Sequence, residues 1–253
     1  LGLNYQMDKL LILLIFLIMA ASQLKAEDRI KVAVIDSGIS FKQSIAEYSC
    51  TDGHKSFVDG SIYVRSRHGE NIISIISKAI NPKTHCIKSY KVWIPKISGR
   101  ASMAATIKAY QAIIKDYSVR FVNVSMGGEE ASYDEKRYIR RLLVRGVHIT
   151  VAAGNEGNNL DKNCNYYPAC YKRTLDYYNF FVVKSSLESS NYGKFITDTY
   201  SGYKIGTPAL SGTSQATAQK MQFLLKSMVY SNRRTNDRLR KTETSDRNTR
   251  SYR

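Results

Sequence analysis

The sequence predicts an α/β fold of three layers, a mostly parallel sheet with helices on both faces. Three observations lead there. Short β-branched apolar runs alternate with longer segments of helical periodicity. The runs are apolar at successive positions, as in strands buried on both faces. Several of them stop at Asp, Ser, Gly or Asn, residues that turn the chain out of a strand.

Arg29 to Ile35 reads as the first buried strand and runs into Asp36-Ser37-Gly38. Lys55 to Val58 reads as a short strand. His68 to Ile80 carries apolar residues at 72, 73, 75, 76, 79 and 80, the spacing of a buried helix. Ile87 to Ile94 is a strand, and Ser102 to Tyr117 a helix through Met103, Ala104, Ile107, Tyr110, Ile113 and Ile114. Phe121 to Val124 is a strand leading into Ser125-Met126-Gly127-Gly128. Tyr133 to Arg145 is an amphipathic helix stopped by Gly146. Val147 to Ala153 is a strand leading into Gly154-Asn155, Phe180 to Val183 a further strand, and Thr213 to Met228 the last helix. Ligand sites in such sheets gather at the carboxyl ends of the strands. Asp36, Ser125 and Asn155 all fall at such ends and would share one edge.

A hydrophobic fraction of 43% in 253 residues suits one globular core rather than two domains. The formal charge of +17 raises nucleic acid and anionic surfaces as partners. From Lys226 to Arg253 there are 9 basic and 3 acidic residues, so about a third of the excess sits in the last 28 positions. The remainder is scattered, with no basic-aromatic recognition motif, which argues against nucleic-acid binding. From about Ser231 the chain is charged and nearly free of apolar residues, so residues 231–253 are expected to be a disordered tail.

At the other end, Met7-Asp8-Lys9 precedes 12 apolar residues from Leu10 to Ala21, small residues, and then Glu27-Asp28-Arg29. This is the layout of a signal peptide over residues 1–26, with cleavage between Ala20 and Ala26 and with Met7 as the natural start. The run is short for a membrane span, so no stable span is expected after cleavage. The expected location is outside the cytoplasm, in a periplasm or beyond the cell. In an oxidising compartment Cys50, Cys86, Cys164 and Cys170 are candidates for disulfides. Three connectivities exist. Cys164 and Cys170 enclose only five residues and could close locally, which leaves Cys50 with Cys86. A zinc site would want tighter Cys/His clustering.

Hydrolysis of an acyl bond by a serine needs a nucleophile, a base, a group that orients the base and donors for the oxyanion. Ser214 opens a small-residue helix start, where outward N–H groups favour negative charge. By itself it also reads as an ordinary helix cap. His68, before Gly69 and an apolar helix, could project into a cleft, although a lone histidine is more often structural. Asp36 and Asn155 could each be plain turn residues.

The conjunction is more informative. The chain order Asp, His, Ser is one of three known for this triad. Val-Ile-Asp-Ser-Gly-Ile (34–39), His-Gly-Glu-Asn-Ile-Ile-Ser-Ile-Ile (68–76), Asn-Val-Ser-Met-Gly-Gly (123–128), Ala-Ala-Gly-Asn-Glu-Gly (152–157), Tyr-Pro-Ala (167–169) and Gly-Thr-Ser-Gln-Ala-Thr-Ala (212–218) follow one another in this order. Together they resemble the subtilisin-like (subtilase) serine peptidases over roughly residues 30 to 225. The resemblance implies a subtilisin-like peptidase domain over 27–230 and a serine endopeptidase acting on peptides or proteins. It implies Ser214 as nucleophile, His68 as base, Asp36 as its orienting carboxylate and Asn155 as oxyanion donor. It also implies that extended substrate pairs with Ser98-Gly99-Arg100 and Ser125-Met126-Gly127. The wall of the pocket for the residue before the scissile bond (P1) would include Ala152, Ala153 and Gly154. Glu156 would stand near its rim, where a carboxylate would weakly favour basic or polar P1 residues, Lys or Arg among them, or would merely solvate the loop.

The chain also departs from the family pattern. Only about ten residues separate the expected cleavage region from Asp36. The expectation is a fold that forms unaided, helped by disulfides, or one served by a separate folding assistant or inhibitor. Ala218 stands where the family has proline, Gln219-Lys220-Met221-Gln222 is unusually polar, and Glu70 follows His68-Gly69 in place of threonine. These departures keep a second reading open: a catalytically weak subtilisin-like domain that binds peptides or a partner. No cofactor is expected and no metal ligands are assigned. Structural calcium is common in the family, but no ligand set for it can be placed.

Overall fold

A computed structural model describes residues 29–39, 46–63, 67–94 and 102–228. Seven parallel strands form one sheet in the order β2-β3-β1-β4-β5-β6-β7. They are β1 (Ile30–Asp36), β2 (Lys55–Ser56), β3 (His85–Lys91), β4 (Val119–Val124), β5 (His148–Ala152), β6 (Phe180–Ser185) and β7 (Asp198–Tyr200). The helices are α1 (Arg67–Ile76), α2 (Met103–Lys115), α3 (Tyr133–Val144) and α4 over 213–228. A 3-10 turn, Ser77–Ala79, extends α1, and a second, Ala169–Arg173, follows a loop closed by a disulfide.

The alternation of side chains along β1 explains the layers. Val32 and Val34 point to one face and pack with Ile72, Ile73 and Ile76 of α1 and Met221 and Leu225 of α4. Ala33 and Ile35 point to the other and pack with Ala109, Tyr110 and Ile113 of α2 and Ile139 and Leu142 of α3. A strand covered on both faces has no solvent side, which is why Val32 to Ile35 of β1 are apolar at successive positions. Ser102 and Ser132 cap α2 and α3, accepting hydrogen bonds from the backbone N–H of Ala105 and Glu135.

Sequence and structure differ at the smaller elements. β7 has three residues, is polar and lies at the sheet edge, so it has no apolar alternation to announce it. The polar stretch of α4 is accounted for by its partners. Gln219 accepts from the Gly202 N–H (2.9 Å), and Lys220 pairs with Asp198 (2.8 Å) over the Phe181 ring. The Gln222 amide reaches the Ile75 carbonyl at 3.2 Å. Buried polar groups satisfied in this way do not disrupt a core. Among the described residues the disulfides are Cys50–Cys86 and Cys164–Cys170. The signal segment, Ser98-Gly99-Arg100 and the tail 231–253 lie outside the described residues. No described helix is long and apolar enough to cross a membrane.

Glu135, in the first turn of α3, is buried, with one carboxyl oxygen lacking a hydrogen-bond partner among the described residues. Burial pushes its pKa up from 4.5 to about 7, only partly opposed by the nearby Tyr171 hydroxyl. Below pH 4.5 the carboxyl is protonated in both folded and unfolded chains and contributes no difference. Between 4.5 and 7 only the unfolded chain ionises, so the folded state loses stability as pH rises, by about 3 kcal/mol in all. Glu135→Gln, measured by urea unfolding in a Ser214→Ala background to prevent self-digestion, should therefore be more stable than its parent at pH 8. The gain should shrink or reverse at pH 4. Equal differences at both pH values would show that Glu135 is not held protonated.

Candidate active site

The carboxyl ends of β1, β4 and β5 bring the motif residues to one edge of the sheet, beside the starts of α1 and α4. Asp36 ends β1 and is fully buried. Its Oδ1 accepts the Ser37 N–H at 2.6 Å and the His68 Nδ1–H at 2.8 Å. Because Nδ1 donates to the carboxylate, Nε2 is left as the basic nitrogen of the neutral ring. Burial works against charging His68, but the charge and hydrogen bond of Asp36 outweigh it, and the imidazole pKa is raised above 6.5. The ring also stands edge-on to Trp93, with centroids 5.5 Å apart.

Gly69 makes this approach feasible. A Cβ there would overlap the Gly38 carbonyl oxygen and come within 3.2 Å of Asp36 Oδ1. The Gly69 N–H also donates to Ser37 Oγ at 3.1 Å, fastening the start of α1 to the turn after β1. Further along α1, the Asn71 amide donates to the carbonyls of Ile205 and Pro208 (2.6 Å each), and its Oδ1 accepts from Gln215 at 2.8 Å. The helix carrying His68 is thus tied to the helix carrying Ser214.

Ser214 is the second residue of α4, within the first turn, where N–H groups lack intrahelical acceptors. A buried polar chain supports it. Thr150 donates to Asn123 Oδ1 (3.1 Å), Asn123 to Ser125 Oγ (2.8 Å), and Ser125 Oγ to the Ser214 carbonyl (3.0 Å). The Ser214 hydroxyl itself donates to the Ser125 carbonyl at 2.7 Å. The structure thus brings His68 and Asp36 into contact and sets Ser214 at the same edge, with its hydroxyl turned towards β4 rather than hydrogen-bonded to the imidazole.

Asn155 lies beyond β5, exposed, with its Oδ1 fixed by the Thr213 N–H at 2.9 Å. That bond sets the orientation of the carboxamide and leaves its N–H2 end free to donate beside the start of α4. Ala152, Ala153 and Gly154 form a buried wall next to it. Ser125 is buried, Met126 half-buried and Gly127 exposed, as the rim of a substrate groove would be. Glu156 is exposed, but one of its carboxylate oxygens is held by the Asn191 amide at 2.6 Å. Asn191, fully buried, also takes the N–H groups of Glu156 and Asn158 and donates to the Ala153 carbonyl. Sequence reasoning passed over Asn191 and Tyr166, whose positions beside this wall depend on loops from distant parts of the chain. Among the described residues no group of three or more His, Cys, Asp or Glu could hold a metal ion.

Comparison with known proteins agrees with this architecture. Subtilisin NAT of Bacillus subtilis subsp. natto is 27% identical over 242 residues, covering 85% of this chain and 60% of that protein. The chain thus spans about 60% of that relative's length. Subtilisin of Bacillus pumilus is 26% identical over 85% of this chain and 84% of its own. A crystal structure of a cold adapted subtilisin-like serine proteinase superposes with a TM-score of 0.65 at 22% identity, covering 80% of this chain and 76% of that one, a likeness of fold. The family model described as the subtilase family matches residues 27–220. With that match over most of its length, and with the parallel sheet and site edge described above, the chain belongs to the subtilase family of serine peptidases.

Proposed function

We propose that the protein is an exported serine endopeptidase that cleaves peptide bonds through an acyl-enzyme. The observation that carries the reading is the Asp36–His68 pair at 2.8 Å, oriented so that Nε2 remains basic, at the sheet edge where Ser214 lies in the first turn of α4. When substrate binds, Ser214 turns about its Cα–Cβ bond from the Ser125 carbonyl to Nε2. Its oxygen attacks the scissile carbonyl carbon while its proton passes to Nε2. The buried Asp36 carboxylate stabilises the imidazolium. The oxyanion is held by the Asn155 side-chain amide and the Ser214 N–H. Collapse breaks the C–N bond as Nε2 protonates the leaving amine. Water then attacks the acyl carbon while giving a proton to the same nitrogen, and the bond from that carbon to Ser214 Oγ breaks as Nε2 returns the proton to Oγ, releasing the acid. Two disulfides, together with the apolar run from Leu10 to Ala21, support action outside the cytoplasm.

A fluorophosphonate probe tests the reading directly, because only an activated serine reacts with it. Labelling confined to Ser214, together with turnover of a peptide substrate, is the expected result. An unlabelled, folded protein would favour a peptide-binding domain without catalysis.

Asn155→Ala should lower kcat by about 10²–10³-fold with little change in KM, since its donor acts mainly on the oxyanion of the transition state. That magnitude is known from a subtilisin itself. A change confined to KM would instead place Asn155 in ground-state binding.

A further inference from the structure

Val124 of β4 pairs with Val151 of β5, so the segments that continue them, Ser125-Met126-Gly127 and Ala152-Ala153-Gly154, leave the sheet as neighbours. A P1 side chain would enter the space between them. In this chain an aromatic ring already stands there. A Cβ on Gly127 would overlap Tyr166 at its Cε1 and come within 2.7 Å of its Cζ. A Cβ on Gly154 would come within 2.9 Å of Tyr166 Cδ2. The Tyr166 ring is therefore in contact with both walls at their glycines, and any larger residue at either position would collide with it.

The ring is held from behind. Tyr166 lies inside the loop closed by Cys164–Cys170, where its carbonyl accepts the Cys170 N–H at 2.9 Å. The neighbouring Tyr167 exchanges backbone hydrogen bonds with Gly128, at 2.7 and 2.9 Å. These pairings fasten the loop to the strand end that forms one wall. The Glu156 carboxylate, held by Asn191, closes the far side beside Gly154. Burial, with the Glu156 charge as a smaller contribution, raises the Tyr166 phenol well above its ordinary pKa of 10, so the ring is neutral at working pH.

We propose that Tyr166 fills the pocket beneath the scissile bond and restricts the protein to substrates with Gly, Ala or Ser at P1. This rests on the peptidase reading above. It also replaces the basic or polar preference drawn from Glu156, because a long side chain would have to occupy the space that the Tyr166 ring fills between Gly127 and Gly154. A space occupied by a ring from both sides has no room for a second aromatic or long side chain, and close-packed walls relax only at a cost.

The test uses matched chromogenic tetrapeptide anilides that differ only in P1, Ala against Phe. The full chain should favour Ala in kcat/KM by at least about 100-fold, since a side chain that does not fit is rejected far more strongly than one extra methylene. Tyr166→Ala should bring that ratio near or below one, mainly by raising the rate on Phe. Tyr166→Phe keeps the ring and should keep the Ala preference. Efficient cleavage at Phe by the unaltered chain overturns the proposal whether or not Tyr166→Ala folds, and so does an unchanged ratio in a folded Tyr166→Ala. If neither anilide is cleaved and Ser214 is not labelled, the peptidase reading has failed. The pocket is then read by calorimetric binding of N-acetyl tetrapeptides ending in Ala or Phe. Binding of the Phe peptide that appears only in Tyr166→Ala supports a blocked pocket, and equal binding by the unaltered chain refutes it.

Discussion

Ser214→Ala should abolish fluorophosphonate labelling and lower peptidase turnover by about 10⁶-fold, a magnitude that comes from a subtilisin rather than from this chain. Among the described residues Ser214 combines a position in the first turn of α4, the Asn155 carboxamide bonded to the adjacent Thr213 N–H, and a place on the sheet edge that carries the Asp36–His68 pair. The fold should survive. Alanine suits an early helical position, and the lost hydrogen bond from Oγ to the Ser125 carbonyl is worth about 1 kcal/mol. Circular dichroism and the urea midpoint establish that the variant is folded. Turnover above background in that folded variant would remove Ser214 from the chemistry.

Asp36→Asn should lower kcat/KM by about 10⁴-fold and should also move the pH profile. In the parent chain the rate should rise with pH as His68 loses its proton, with a midpoint above 6.5, because Asp36 raises the imidazole pKa despite burial. Asparagine preserves the shape but removes the charge. Burial then acts unopposed, so the residual activity should rise with a midpoint below that of the parent. A variant crippled only by misfolding would lose activity without a shift in midpoint. An unchanged midpoint in a folded Asp36→Asn would mean that Asp36 does not govern the base.

The main buried strands along the chain, the two-sided helical cover and the positions of Asp36, Ser125 and Asn155 at or just beyond strand ends were legible in the sequence; the order of the strands within the sheet was not. The strands are recorded locally, as short β-branched, mainly apolar segments stopped by turn residues, and the helices as apolar positions at helical spacing. The short edge strand Asp198–Tyr200 was not, because three polar residues at a sheet border bury too little to leave a pattern. The polar stretch Gln219-Lys220-Met221-Gln222 read as a misfit in a core helix. Its partners are Gly202 just after β7, Asp198 at the start of β7 and Ile75 of α1, 17, 22 and 147 positions away.

The same division holds within the site. Residue types and chain order by themselves determined which groups could perform acyl transfer, since a nucleophile, a base and an orienting carboxylate are recognisable as chemistry before they are placed. Only the tertiary structure decided their orientation. It turned Asp36 Oδ1 towards His68 Nδ1, rested the Ser214 hydroxyl on the Ser125 carbonyl, fixed the Asn155 amide with Thr213, and put the Tyr166 ring between Gly127 and Gly154. Such contacts join residues 12 to 89 positions apart, and pairings at those separations are set by how sheet, helices and disulfide loop pack rather than by any local pattern.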